Sequence, residues 1–181
     1  MHASSPRSLA PTEPRTPSLG LVLVLTCALL ALLLPLKARA ALPIGLDIAA
    51  GAGGGYSFDR ANPTFDLHLR AELRLGFFTL GASLKERPPL PALTPANALL
   101  VYGDLGVNLP IKKSRLAFRV GFGGGHVGQP AFGVHETIGL HLFAIPILGI
   151  GFEVDFDQTW LIESTKWDRG FGGRVMLLIR I

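Results

Sequence analysis

Five titratable side chains recur at every second position in Thr64–Gly76, TFDLHLRAELRLG: Asp66, His68, Arg70, Glu72 and Arg74. Histidines beside carboxylates, as in His68 with Asp66 and His135 with Glu136, are the materials of an acid–base relay or a metal site, and Asp155 and Asp157 add carboxylates on another segment. Neither chemistry has its usual spacing. No HExxH or comparable pattern brings two ligands onto one face. Ser57, Ser83, Ser114 and Ser164 each lack a motif that would pair them with a base. Gly51–Gly55 and Gly121–Gly125 look like phosphate loops, but the Lys-Ser/Thr of a P-loop and its following helix are both missing. The sequence thus predicts no catalytic residues, no metal and no cofactor, and it reads the polar positions as structural.

The elements that hold these groups follow from parity. In Thr64–Gly76 the residues between the charges are Phe65, Leu67, Leu69, Ala71, Leu73 and Leu75. Alternate side chains leave a strand on opposite faces, whereas on a helix this apolar set would scatter around the cylinder. Eight such segments are expected, at residues 44–58, 64–76, 77–85, 99–109, 115–126, 134–144, 147–157 and 171–181. No amphipathic helix interrupts them. The intervening connections alternate, short at 76, 110–114 and 145–146, longer at 59–63, 86–98, 127–133 and 158–170. That is the signature of an all-β, antiparallel, up-and-down eight-stranded barrel, whose closure removes the unpaired edges.

Alternation alone does not say which face is inside. Glycine does, because the charged face also carries Gly45, Gly51, Gly53, Gly55, Gly81, Gly106, Gly121, Gly123, Gly125, Gly139, Gly149, Gly151 and Gly172. A strand glycine is a weakness unless something must approach closely. Arg70, Arg74, Arg119 and Arg174 would fill a narrow lumen only if their neighbours were this small, while the Leu, Ile and Phe of the other face would overfill it. The reading is apolar outside and polar inside, the arrangement of a transmembrane barrel. A soluble lipocalin-like barrel would be the reverse.

The N-terminus has a basic lead with Arg7 and Arg15, an apolar run from Leu19 to Leu36, then Ala38-Arg39-Ala40. This is the layout of a helical signal peptide over residues 1–40, with cleavage expected after Ala40 and the barrel occupying 41–181. A run of that length could also anchor the chain in a bilayer. The only cysteine, Cys27, lies in the apolar run, leaving no disulfide or thiolate site after cleavage. Loss of Arg7, Arg15, Lys37, Arg39 and Glu13 lowers the formal charge from +4 to +1. The balance gives no reason to propose a nucleic-acid partner.

From about Ile44 to Ile181 the pattern resembles the eight-stranded outer-membrane barrels, of the kind seen in the transmembrane domain of OmpA and in OmpX. The resemblance implies a bacterial outer-membrane location, short periplasmic turns and longer external loops. It also implies outer-membrane lipid as the surroundings, periplasmic chaperones and the barrel-assembly machinery as partners in biogenesis, and a monomer. Tyr56, Phe58, Phe65, Phe156 and Phe171 would form the external aromatic girdle and Phe77, Phe78 and Phe143 the periplasmic one, with Trp160 and Trp167 in the last loop. Pro88, Pro89, Pro91 and Pro95 suggest a stiff external loop.

Lumenal charges need partners. If Asn108 faces Arg115, Asp104 falls opposite Arg119; if Asp157 faces Gly170, Glu153 falls opposite Arg174. Asp47 could pair with Arg180 or Arg74, and Glu72 could join a central cluster with Arg70. The expected function is a non-enzymatic barrel with a structural or surface-exposed role and a lumen filled by ion pairs. The alternatives are a small passive porin-like channel and, after it, a soluble lipocalin-like lipid-binding barrel.

Overall fold

The computed structural model describes residues 44–88 and 97–181. The predicted signal peptide, Cys27 and the prolines at 89, 91 and 95 lie outside the described residues. Eight strands, β1 (Ile44–Ser57), β2 (Asn62–Leu75), β3 (Phe78–Arg87), β4 (Ala98–Ile111), β5 (Ser114–Val127), β6 (Pro130–Ile145), β7 (Leu148–Leu161) and β8 (Lys166–Arg180), follow one another around the wall. Every neighbour pairs antiparallel, and β8 closes onto β1. A strand of 14 residues such as β1, at about 3.3 Å per residue and tilted about 40°, rises roughly 35 Å, enough for an apolar band about 25 Å tall and two polar rims.

The parity argument holds around the wall. Leu67, Leu69 and Leu73 of β2, Leu80 of β3, Val101 and Leu105 of β4, Ile138 and Leu140 of β6, Ile150, Phe152 and Val154 of β7 and Val175 and Leu177 of β8 all point outward and are exposed. The intervening Asp66, His68, Arg70, Glu72, Lys85, Asp104, Arg119, His135, Glu153, Asp155 and Arg174 are buried in the lumen. Exposed hydrocarbon around a buried charged interior inverts the soluble pattern, and the lipocalin-like alternative has the wrong face inside. On the wall of β5, Phe118 and Val120 form a buried outer cluster with Leu109, Leu116 and Val134 packed against them.

Close approach, rather than flexibility, explains the lumenal glycines. A Cβ on Gly121 would meet the His135 ring and the Asp104 carboxylate, and one on Gly53 would meet the backbone and Cβ of Arg174. On the outer face Gly103 has room, its nearest atom being the Phe122 carbonyl at 3.9 Å. In the turns the requirement is conformational: Gly76 (φ 67°) and Gly128 (φ 70°) adopt the left-handed region.

Several expected boundaries move. The loops anticipated at 127–133 and 158–170 contract to Gly128-Gln129 and residues 162–165, because β5 to β8 continue past the apolar band. Their polar outer ends read as loop in sequence, yet Thr159 pairs with Asp168 and Trp160 with Trp167 in the ladder. The expected turn at 110–114 tightens to Lys112-Lys113, with Pro110 opposite Arg115. The connections expected to be external are consequently not all long; only the one between β3 and β4, residues 88–97, greatly exceeds the turns at the other end.

Candidate functional site: the lumenal ion-pair network and the basic mouth

Each lumenal charge is placed by the strand parity just described, and the groups stack in tiers along the barrel axis. The central tier is organised by Glu153 of β7. Arg70 of β2 donates to both its oxygens, Nη1 at 3.0 Å and Nη2 at 2.6 Å, and Arg174 of β8 donates Nε at 3.1 Å. Glu72 accepts from Nε and Nη2 of Arg119 on β5, the latter at 2.8 Å, and lies 3.5 Å from Arg70. Two forked arginine–carboxylate pairs thus meet within the barrel, the geometry in which guanidinium and carboxylate match best.

His141 of β6 joins this tier. Arg115 has only donors, so its Nε–H, 2.9 Å from His141 Nδ1, makes Nδ1 an acceptor. The ring proton then sits on Nε2 and is donated to Glu153 Oε1 at 2.8 Å. The histidine is a neutral bridge between two charged groups. A free catalytic base would have one nitrogen unengaged.

Above the central tier, Lys85 of β3 donates to Asp155 at 2.6 Å and Asp157 at 2.5 Å, and Asp66 lies 3.6 Å away. Arg87 donates to Asp157 at 2.8 Å, and Ser57 to Asp168 at 2.6 Å. Beside these, Ala98, Leu100, Tyr102, Val127, Ala131 and Leu161 fill the lumen with hydrocarbon. Tyr102 stacks on His135 with centroids 4.4 Å apart and planes 18° from parallel, and His135 Nε2 lies 2.6 Å from Asp104. A cavity of about 10 Å³ lies among Ser57, Asp66, Lys85, Arg87, Asp157 and Asp168 at this mouth. Just outside it, the Asp59 carboxylate accepts from the Arg169 backbone N–H at 2.7 Å, Nε at 3.1 Å and Nη2 at 3.0 Å, bonds that hold its pKa below the ordinary aspartate value.

The other mouth, where both ends of the barrel chain lie, differs in charge and in space. Asp47 of β1 meets three guanidinia: Arg115, Arg74 at 3.3 Å and Arg180 at 3.5 Å. Phe143 points inward here and carries two of them, Arg180 with its guanidinium carbon 3.8 Å from the ring centroid and Arg115 at 5.2 Å. The resemblance to outer-membrane barrels implies a place for Phe143 in the periplasmic aromatic girdle, and the structure corrects it. Phe143 shares the inward face with His141, and the register shift between Phe143 and Ile145 reorients the chain only beyond it. A cavity of about 600 Å³ opens at this end.

The nine residues singled out as lumenal charges, Asp47, Arg70, Glu72, Arg74, Asp104, Arg119, Glu153, Arg174 and Arg180, all face the interior, with Arg180 at its rim. Glu153 opposite Arg174, Asp157 opposite Gly170, Asp47 near Arg74 and Arg180, and Glu72 near Arg70 occur as the register argument placed them. Asp104 opposite Arg119 does not. The Lys112-Lys113 turn puts Asn108 opposite Ala117 and Asp104 opposite Gly121, so Asp104 takes His135 and Arg119 crosses the lumen to Glu72. Lys85, Asp155, Asp157, Arg115, His141 and Tyr102 complete the network without having been singled out as members. Their signal was parity with the known inward residues of their own strands; pairing across the barrel has no one-dimensional trace. Among the described residues, no cluster of three or more His, Cys, Asp or Glu could hold a metal ion.

No protein-family model matches the sequence, and no curated protein matches it either. Solved structures do match. Neisserial surface protein A superposes with a TM-score of 0.50 at 11% identity, over 76% of this chain and 95% of that one. A de novo designed transmembrane β-barrel gives 0.49 at 14% identity, over 77% and 97%. Ail, the attachment invasion locus protein of Yersinia pestis solved with the heparin analogue sucrose octasulfate, gives 0.44 at 11%, over 77% and 100%. At these identities the likeness concerns the fold, and Neisserial surface protein A carries it. The chain has the fold of the eight-stranded outer-membrane barrels.

Proposed function

We propose that this protein is a non-enzymatic resident of the bacterial outer membrane whose barrel is closed internally and whose role is structural, with little chain presented outside. One observation carries the reading: a continuous exposed apolar wall surrounds a lumen crossed by Arg70–Glu153, Arg119–Glu72 and Lys85–Asp155. Such a wall is stable only against hydrocarbon. The side chains that cross the lumen leave a cavity of about 10 Å³ at one mouth, which weighs against a passive channel. Short external turns weigh toward a structural role, since surface recognition would have to rest mainly on residues 88–97. On this reading residues 1–40 are an export signal removed after Ala40, the protein is a monomer in outer-membrane lipid, and periplasmic chaperones and the barrel-assembly machinery deliver it.

Cell fractionation with heat-modifiable gel mobility tests location and fold together, and N-terminal sequencing tests the cleavage. Planar-bilayer recording of the purified protein then tests closure. The expected record is free of large, stable conductance steps. Steady wild-type currents would replace the closed barrel by the channel reading, and a chain soluble without detergent would end the membrane reading.

A further inference from the structure

The two mouths are built differently. At the narrow one, Lys85, Arg87 and Arg60 are matched by Asp66, Asp155, Asp157 and Asp168. Around the cavity of about 600 Å³ at the other, the charged residues are Arg74, Arg115, Arg180, Lys112 and Lys113, and none of the described lining residues is acidic. Asp47 behind them is one carboxylate for three guanidinia. Each guanidinium has five N–H donors, and a carboxylate offers about four lone-pair sites. Donor capacity and positive charge are therefore both in excess.

This mouth is also preorganised. The Phe143 ring lies under Arg180, 3.8 Å from its guanidinium carbon, and 5.2 Å from that of Arg115, and Lys112 is held at the turn by a left-handed backbone with φ 54°. A second observation points the same way. Asn108 lines the cavity, is 4% exposed, and neither atom of its side-chain amide has a hydrogen-bond partner. A buried amide without partners costs stability, as expected of a group held ready for a ligand. Low-dielectric walls focus the field of like charges at such a mouth and raise the local concentration of counter-ions.

We propose that the basic mouth is a binding site for a phosphate oxyanion, contacted by Arg180, Arg74 and the Lys112-Lys113 turn, with Arg115 and Asn108 forming its inner wall. The phosphate can belong to a free phosphorylated solute or to a phospholipid headgroup at the barrel rim; guanidinium and ammonium groups recognise both through the same oxygens. The cavity is part of the barrel itself, so the site stands whether or not the closed-barrel reading above is right.

The test uses protein extracted from membranes in detergent, with heat-modifiable mobility confirming that each variant is folded. In one arm, equilibrium dialysis measures binding of radiolabelled inorganic phosphate. In the other, the protein is placed in nanodiscs of mixed phosphatidylglycerol and phosphatidylcholine, and the lipid retained after detergent exchange is quantified. Saturable binding near one equivalent is expected in at least one arm, weakened tenfold or more by the double variant Lys112→Glu, Lys113→Glu and also by Arg180→Gln. Lys166→Glu at the opposite rim should leave it unchanged. Binding in the first arm identifies a free solute, and retention of phosphatidylglycerol alone identifies the headgroup. Absence of saturable binding in both arms, or equal loss in Lys166→Glu, would overturn the proposal.

Discussion

Glu153 is the side chain on which the closed lumen depends most. It is 2% exposed and takes hydrogen bonds from Arg70, Arg174 and His141, with Arg119 a further 3.8 Å contact. Glu153→Gln keeps the volume and removes the charge, leaving Arg70 with Glu72 at 3.5 Å and Arg174 with Asp155 at 3.5 Å. Removing one partner of a buried pair costs about 3–5 kcal/mol, because the other charge stays desolvated. The remaining carboxylates put this case at the low end, about 3 kcal/mol. With a urea dependence of about 1.5 kcal/mol per M, the unfolding midpoint should fall by about 2 M. The assay is urea unfolding in lipid vesicles, followed by the shift between heat-modified and unmodified bands, with refolding from high urea to establish reversibility. Replacing both partners separates charge from packing: Arg70→Met with Glu153→Leu removes the pair together, and apolar replacement of a whole buried pair is often neutral or stabilising. The double variant should therefore be more stable than Glu153→Leu alone. The reasoning fails if Glu153→Gln unfolds within about 0.5 kcal/mol of the parent protein, or if the double variant is the less stable of the two.

Three other outcomes follow from the same geometry. Leu69 points outward near the middle of β2 and is 51% exposed, so Leu69→Arg should cost about 2–4 kcal/mol in a bilayer; a neutral result in vesicle unfolding would argue for water outside. Gly121→Val should sharply reduce the fraction that reaches the heat-modifiable form, since its Cβ runs into His135 and Asp104, while Gly103→Ala on the outer face should assemble normally. Equal behaviour of the two would remove the close-approach explanation of lumenal glycine. Asp59→Asn tests the rim pair: the folded pKa of Asp59 lies below its unfolded value, so the pair's stability is fully present above about pH 4 and is lost as pH falls through the folded pKa. At neutral pH the variant should lose under about 1 kcal/mol, because the pair faces solvent, and the difference should vanish in acid. A deficit that persists in acid would assign the effect to packing.

What was legible in the sequence has a physical boundary. Parity within a strand is a local property, so Arg70, Glu72 and Arg74 were assigned one face and Leu69 and Leu73 the other before any partner was known. Glycine extended that to the choice of medium, because a lumen must hold Arg174 against Gly53 whereas a solvated face need not. Hairpin register was readable only where the turn chemistry was: Glu153 fell opposite Arg174, but Asp104 missed Arg119 because Pro110 is accommodated in the ladder and the turn closes two residues later. Contacts across the lumen had no local trace. Arg119 finds Glu72, and Arg180 finds the Phe143 ring, only because closure fixes which strands face one another.

The same limit explains why the chain's polar residues carry two meanings that look alike in one dimension. At the centre and in the tier above it, Arg70, Arg119, Arg174, Lys85 and Arg87 face Glu72, Glu153, Asp66, Asp155 and Asp157, so the groups neutralise one another and close the lumen. At the basic mouth the same side-chain types outnumber their one carboxylate and border open space. Both sets have identical spacing along their strands, every second residue on the inward face. What separates them is stoichiometry of charge within a tier, a quantity that exists only once eight strands have been brought into register. Any functional claim about this barrel therefore belongs to tiers rather than to motifs, and the tier with unmatched charge is the one at the mouth lined by Arg74, Arg115 and Arg180.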